Sequence, residues 1–162
     1  MLFTLWDSDR TLTVQVESVG WDDAAAVTLR EAMAAEMRLR YPDRFNERNG
    51  VDADTVVYTG VAYTGDRQPV GHPALRRLGA DLELKRMYIV PSHRGTGVSL
   101  ALLAAVERAA LRLGGGRLLL QTGDRQPDAV RLYEKTGYTR IPIFPPYESQ
   151  TYSFCFQKVL QS

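Results

Sequence analysis

The sequence predicts an α/β fold in which one mixed sheet carries helices on both faces. Two observations carry that expectation. Apolar runs of period two are interleaved with runs of helical period, and the strand-like runs before residue 90 follow one another across short turns, whereas those after it alternate with helices. The first arrangement gives an antiparallel meander and the second requires crossover connections.

Taken in order, Thr11 to Glu17 (TLTVQVE) alternates apolar and polar residues as a half-buried strand does. Trp21 to Arg40 reads as a helix, with Asp22 or Asp23 as its cap and Ala26, Leu29, Met33, Met37 and Arg40 at helical spacing, until Tyr41-Pro42 stops it. Thr55 to Tyr63, Gln68 to Leu78 and Leu82 to Val90 form the meander, separated by Gly65-Asp66 and Gly79-Ala80-Asp81, with His72-Pro73 as an irregularity in the second strand. A helix follows from Ser99, with Leu100, Leu103, Val106, Ala110 and Leu113 as its apolar face and Gly114 as its stop. Arg117 to Gln121 is a short buried strand, Pro127 to Thr136 a helix closed by Gly137, and Tyr152 to Leu160 a last strand.

With 162 residues, 44% of them hydrophobic and 24% charged, the chain is expected to form one globular domain over 1–162. A net charge of +1, with both signs mixed along the chain, leaves no footprint for nucleic acid or for an anionic membrane. The start, MLFTLWDSDR, has the form of neither a signal peptide nor an anchor, and no apolar run approaches the ~20 residues of a membrane span, so a cytoplasmic setting is expected. Cys155 is alone, which excludes an intrachain disulfide, and His72 and His93 belong to no cluster at metal-ligand spacing, so no metal is expected.

The stretch VPSHRGTGVSL, Val90 to Leu100, leads from a strand into a helix through Arg94, Gly95 and Gly97. Amides at a helix start lack intrahelical partners and the helix dipole adds positive potential there. Glycines let the backbone turn sharply and admit a phosphate where a Cβ would stand, and Arg94 adds a cation with paired donors. The loop therefore has the chemistry of a pyrophosphate site. It is not a Walker A loop, since Gly97-Val98-Ser99 replaces Gly-Lys-Ser/Thr, and Leu100 stands where a dinucleotide fingerprint needs its third glycine.

Arg94-Gly-Thr-Gly-Val-Ser99 resembles the RxxGxG/A loop of the GNAT superfamily of N-acetyltransferases, with Ser99 as a small-residue variant at the last position. Two further blocks share the resemblance in the right order and spacing: Glu83 to Pro91 (ELKRMYIVP) before the loop and Arg131 to Tyr138 (RLYEKTGY) after it. The resemblance covers about Leu82 to Arg140. It implies a GNAT-like sheet splayed between Leu82–Val90 and Arg117–Gln121, and transfer of an acetyl group from acetyl-CoA to a primary amine of a small molecule or peptide by direct attack in a ternary complex. It also implies that the amides of Gly95, Thr96, Gly97, Val98 and Ser99, with Arg94, hold the pyrophosphate, and that the pantetheine arm pairs with the backbone near Met87, Tyr88 and Ile89. Arg125, Arg131 and Lys135 are candidates to reach the CoA 3′-phosphate, against their alternative as a solvated helix exterior.

By the same resemblance Glu83 is the candidate base that takes the amine's proton, against its alternative as a strand-face glutamate paired with Lys85, two residues on and on the same face. Tyr133 is the candidate group that protonates the departing thiolate, against a purely structural core aromatic. Tyr41, Phe45 and Tyr147 fall where the family shapes its acceptor pocket, and aromatic walls suit a small amine with an apolar or flat body. Arg38, Arg40, Arg44 and Arg48 are positioned either to attract an acidic acceptor or to form a solvated face. Two rival readings accompany this one: a CoA-binding sensor or partner module without activity, and a transferase for a longer acyl chain. A homodimer through the aromatic face of Tyr152, Phe154 and Phe156 is a further expectation, with burial of those rings in the core as its alternative.

Overall fold

The computed structural model describes residues 1–6, 11–44 and 50–161. Eight strands form one sheet: β1 (Leu2–Trp6), β2 (Thr11–Val19), β3 (Val56–Thr64), β4 (Pro69–Leu78), β5 (Asp81–Ile89), β6 (Arg117–Gly123), β7 (Thr139–Ile141) and β8 (Ser153–Val159). Their order is β1-β2-β3-β4-β5-β6-β8-β7, and every neighbouring pair is antiparallel except β5 with β6. The meander of β3, β4 and β5 is as expected from the turns between them. β1 and β7 have no counterpart in the sequence reading, because a five-residue strand and a three-residue strand carry too little alternation to register.

Three helices cover the sheet: α1 (Ala24–Arg40), α2 (Val98–Arg112) and α3 (Pro127–Lys135). Asp23 caps α1 by accepting from the amide of Ala26. Adjacent residues of β3 show that α1 and α2 lie on opposite faces, since Val61 packs with Ala26 and Leu29 of α1, while Ala62 packs with Val98, Ala101, Leu102 and Ala105 of α2. The α2 face continues into the main core, where Leu82, Leu84, Leu118 and Leu120 meet Leu103, Val106 and Ala110, and α3 contributes Tyr133.

The apolar stripe of α2 is in part the one expected: Leu103, Val106 and Ala110 are buried, whereas Leu100 is 49% exposed and Ala101, Leu102, Ala105 and Ala109 complete the buried face. A Cβ at Gly71 of β4 would stand 2.8 Å from a methyl of Leu102, so there is no room there for a larger residue on either side. Of the last strand's aromatics, Phe156 is fully buried, Phe154 packs against the core with the Arg140 guanidinium 4.1 Å over its ring, and Tyr152 is half-buried.

The irregularity at His72 is a β-bulge. His72 pairs with Tyr88 and Ala74 with Lys85, so two steps along β4 match three along β5, and Arg86 takes the extra position at φ +56°. That conformation costs a non-glycine residue on the order of 1–2 kcal/mol, and a buried latch holds it. The Nδ1 of His72 is 2.9 Å from the carbonyl of Arg86 and its Nε2 is 3.0 Å from a guanidinium nitrogen of Arg30 in α1. Arg30 cannot accept, so Nε2 is the acceptor and Nδ1 carries the proton of a neutral ring. Arg30 also bonds the Trp21 carbonyl and stacks 3.5 Å from the Trp21 ring centre. Beyond the bulge Met87 packs toward α2 and Tyr88 toward α1, the reverse of what unbroken alternation from Leu84 and Lys85 would give.

Burial, with Arg30 and Arg86 close by, pushes the His72 imidazole down to about 4. Between that value and the ordinary ~6.5 the folded protein binds fewer protons than the unfolded chain, so the stabilisation is complete above pH 6.5 and is lost as pH falls toward 4. The loss expected from this site is on the order of 3 kcal/mol between pH 7 and pH 4, from the displacement of about 2.5 pH units. Urea unfolding across that range should show His72→Gln with a flatter dependence than the parent; equal slopes would remove His72 from the account.

Candidate active site

β5 and β6 pair at three positions, Leu82 with Leu118, Glu83 with Leu119 and Leu84 with Leu120, and then separate. A cleft of about 740 Å³ opens where they part, lined by Leu84 to Met87 and Ile89 on one side and Leu120 to Gly123 on the other. Its size falls within the range of small-molecule and cofactor sites. Among the described residues, the edge of β5 that faces β6 has no strand partner beyond Leu84.

One end of the cleft is the glycine loop. Gly95 and Gly97 have φ of +77° and +90°, and Gly97 is the N-cap of α2 with no side chain capping the helix. Gly95, Val98 and Ser99 face the cleft, and the first amides of α2 lack partners within the helix. Thr96 turns its hydroxyl to the carbonyl of His93 at 2.5 Å and so braces the loop from within. Arg94 lines the cleft, but its Nε donates to the Ile89 carbonyl at 2.9 Å and its Nη2 to Glu36 of α1 at 2.8 Å. Tyr88 is buried against α1 with the Arg94 guanidinium 5.6 Å from its ring centre.

The other wall is built by α3 and by the segment after α1. Tyr133 lines the cleft, its ring packed edge-on to Tyr138 and against Phe156. Among the described residues its hydroxyl has no hydrogen-bond partner, and burial raises its pKa well above the ordinary phenol range, so it holds its proton. Tyr41 also lines the cleft; its hydroxyl accepts from the amide of Arg125 at 2.8 Å and seats over Gly123, where an added Cβ would fall 2.2 Å away. Arg125 grips Asp43 through two bonds of 2.6 and 3.0 Å, which holds the Asp43 carboxyl down at about 2, and Arg44 reaches Asp124 at 3.2 Å. Asp124 thus serves this clasp, and Gln126 is the uncapped N-cap of α3. Arg131 bonds Asp128 on the exposed side of α3 and is not on the cleft wall. Phe45 and Arg48 lie outside the described residues.

At the point where the strands part lies a buried polar cluster. Glu83 is fully buried. Its Oε1 accepts from Arg76 Nε at 2.6 Å and its Oε2 from the Tyr147 hydroxyl at 2.6 Å. The same hydroxyl accepts from Lys85 Nζ at 2.6 Å and from Arg76 Nη2 at 3.1 Å. Lys85 is a lining residue of the cleft; Glu83 and Tyr147 stand behind it. Glu83 and Lys85 are therefore joined through Tyr147 and not directly, and the guanidinium of Arg76 supplies the neutralising charge. The pairing of Arg76 with Glu83 follows from the β4–β5 hairpin register, Leu78 opposite Asp81, so that two-residue turn was the signal by which Arg76 was findable. Burial lowers the Lys85 pKa to about 8 and raises that of the Tyr147 hydroxyl.

Of the side chains that line the cleft, seven are Arg or Lys and two, Glu36 and Asp128, are acidic. No group of His, Cys, Asp and Glu able to hold a metal occurs among the described residues, and none of their helices is long and apolar enough to cross a membrane.

The acetyltransferase (GNAT) family profile matches residues 21–138, and the chain belongs to that family. An IAA acetyltransferase of Azospirillum brasilense is 36% identical over 78 residues, which cover 48% of this chain and 51% of that protein, so the chain spans about half the length of this curated relative. Among solved structures, a protein of Klebsiella pneumoniae assigned as an acyl-CoA N-acyltransferase superposes with a TM-score of 0.77 at 28% identity, covering 91% of this chain and 98% of that one. The PaiA N-acetyltransferase of Thermoplasma acidophilum, solved in complex with coenzyme A, shares the fold with a TM-score of 0.69 at 16% identity, over 90% of this chain and 98% of that one.

Removing the cation from the buried cluster should be costly. Arg76→Met leaves the Glu83 carboxylate buried without its ion pair and is expected to lower stability by about 3–5 kcal/mol. The double variant Arg76→Met/Glu83→Gln should recover part of that loss in urea unfolding; additive effects would show that the pair is not coupled.

Proposed function

We propose that the protein is an acetyl-CoA-dependent N-acetyltransferase that acts on a primary amine by direct attack in a ternary complex. The observation that carries this reading is the cleft at the β5–β6 parting, with an uncapped glycine-loop helix start at one end and Tyr133 on its wall. Acetyl-CoA supplies the activated acetyl group as its thioester. The chain's own groups fit that cosubstrate. The amides of Gly95 to Ser99 offer donors at a positive helix end, the glycines' positive φ values suit a close phosphate approach, and the excess of basic side chains favours a polyanion. The unpaired edge of β5 at Met87 to Ile89 offers backbone groups to an extended arm.

An ammonium must lose a proton before its nitrogen attacks, and the cluster of Glu83, Tyr147 and Lys85 is the group of titratable side chains at the parting. The Tyr133 hydroxyl, protonated and without another partner, donates to the thiolate that leaves. Tyr41 and Tyr152 flank the acceptor end of the cleft. Turnover of acetyl-CoA with a panel of primary amines tests the reading; a domain that binds CoA without turnover, or one that prefers longer acyl groups, would replace it.

Two substitutions probe the site. Gly97→Val forces a β-branched residue to φ +90° at the loop, so CoA binding by calorimetry should weaken markedly in a protein that still unfolds cooperatively. Tyr133→Phe should keep CoA affinity while kcat falls about tenfold or more, and an unchanged kcat with chemistry rate-limiting would return Tyr133 to a packing role.

A further inference from the structure

We propose that Lys85 is the side chain that takes the proton from the acceptor amine, with Glu83 and Tyr147 acting through it as a buried relay. The inference rests on the transferase reading above and assigns the proton transfer within it. Geometry argues against direct contact by Glu83. Both of its oxygens are engaged, by Arg76 and by Tyr147, it is fully buried, and it is absent from the cleft wall. Lys85 is on that wall, at the first position of β5 beyond the last pairing with β6. Two consecutive contacts of 2.6 Å join its Nζ through the Tyr147 hydroxyl to Glu83 Oε2.

Lys85 in its ammonium form passes a proton to the Tyr147 oxygen as the Tyr147 hydroxyl proton moves to Glu83, which leaves a neutral amine at the cleft wall and no change in the cluster's charge. That amine takes one proton from the acceptor's ammonium and later releases it to solvent in the cleft. The freed nitrogen attacks the thioester carbonyl carbon; the C–N bond forms and the C–S bond breaks, with the electron pair leaving on sulfur. The nitrogen's second proton balances the one taken up by the thiolate.

The surroundings favour a neutral Lys85 more than bulk water does. It is 6% exposed and its pKa is lowered to about 8, chiefly by burial. Glu83 on its own strand opposes the shift, whereas Arg86 beside it and Arg76 of β4 add to it, and Tyr147 meets it from the segment before β8. Roughly a tenth of the side chain is then neutral at pH 7.

Lys85→Arg is the decisive variant, because a guanidinium keeps the charge and the donor to Tyr147 but cannot give up its proton. Its kcat/KM for an amine should fall about 10²-fold at pH 7, with CoA affinity unchanged by calorimetry and with the loss shrinking as pH nears the amine's own pKa. The parent's rise in kcat/KM with a midpoint near 8 should stay in place across amines of different basicity and disappear in Lys85→Arg. Tyr147→Phe, which cuts the relay, should lower kcat about tenfold and move that midpoint. A folded, CoA-binding Lys85→Arg with the parent's rate and pH profile would overturn the proposal and favour a charge-anchoring role; if the arginine variant does not fold, the same profile in Lys85→Met decides. A parent that acetylates no amine overturns the transferase reading itself, a different outcome from an active parent with an indifferent Lys85.

Discussion

Three backbone pairings join β5 to β6, and the whole site occupies the space where a fourth would be. A parallel pair is linked through a crossover, here the glycine loop and α2, so the start of that helix necessarily lies at the C-terminal end of β5, beside the opening. The bulge at Arg86 makes the parting compatible with an otherwise regular meander. It lets β5 keep β4 as a partner through Ile89 while its other edge turns away from β6. The latch of Arg30, His72 and the Arg86 carbonyl then ties this bend to α1, so that the helix on one face of the sheet helps to shape the edge exposed in the cleft.

The charges are arranged in two tiers. At the rim, Arg125 with Asp43 and Arg44 with Asp124 fasten the end of α1 to the loop before α3, exposed pairs whose energetic contribution is small, beside Tyr41, which sits over Gly123 and meets the ring of Tyr152. Beneath, Arg76, Glu83, Tyr147 and Lys85 form a cluster shielded from water, where every partner matters because an unpaired buried charge is costly.

Much of this was legible from the residues alone. Period-two alternation located the meander, the turn residues located its reversals, and the glycines after Arg94 marked the helix start that faces the cleft. In α2 the spacing located Leu103, Val106 and Ala110 correctly, whereas Leu100 points outward and Ala101, Ala105 and Ala109 are buried, because an alanine carries too little apolar surface to mark a face by itself. β1 and β7 were too short to show a period.

The sequence by itself determined the order of the longer elements, the family, and the residue types available at the parting of the strands, since local periodicity and the three ordered motifs depend only on neighbours along the chain. Tertiary structure alone decided which of them touch. Tyr147 lies more than sixty positions from Glu83 and Lys85, and only the folding of the segment before β8 over β5 puts its hydroxyl between them. The same holds for Arg94, drawn to Glu36 across 58 positions, and for His72, whose role depends on a guanidinium 42 positions earlier. Long-range contacts of single polar atoms leave no period in a sequence, so a hairpin register points to Arg76 opposite Glu83, but nothing local points to Tyr147.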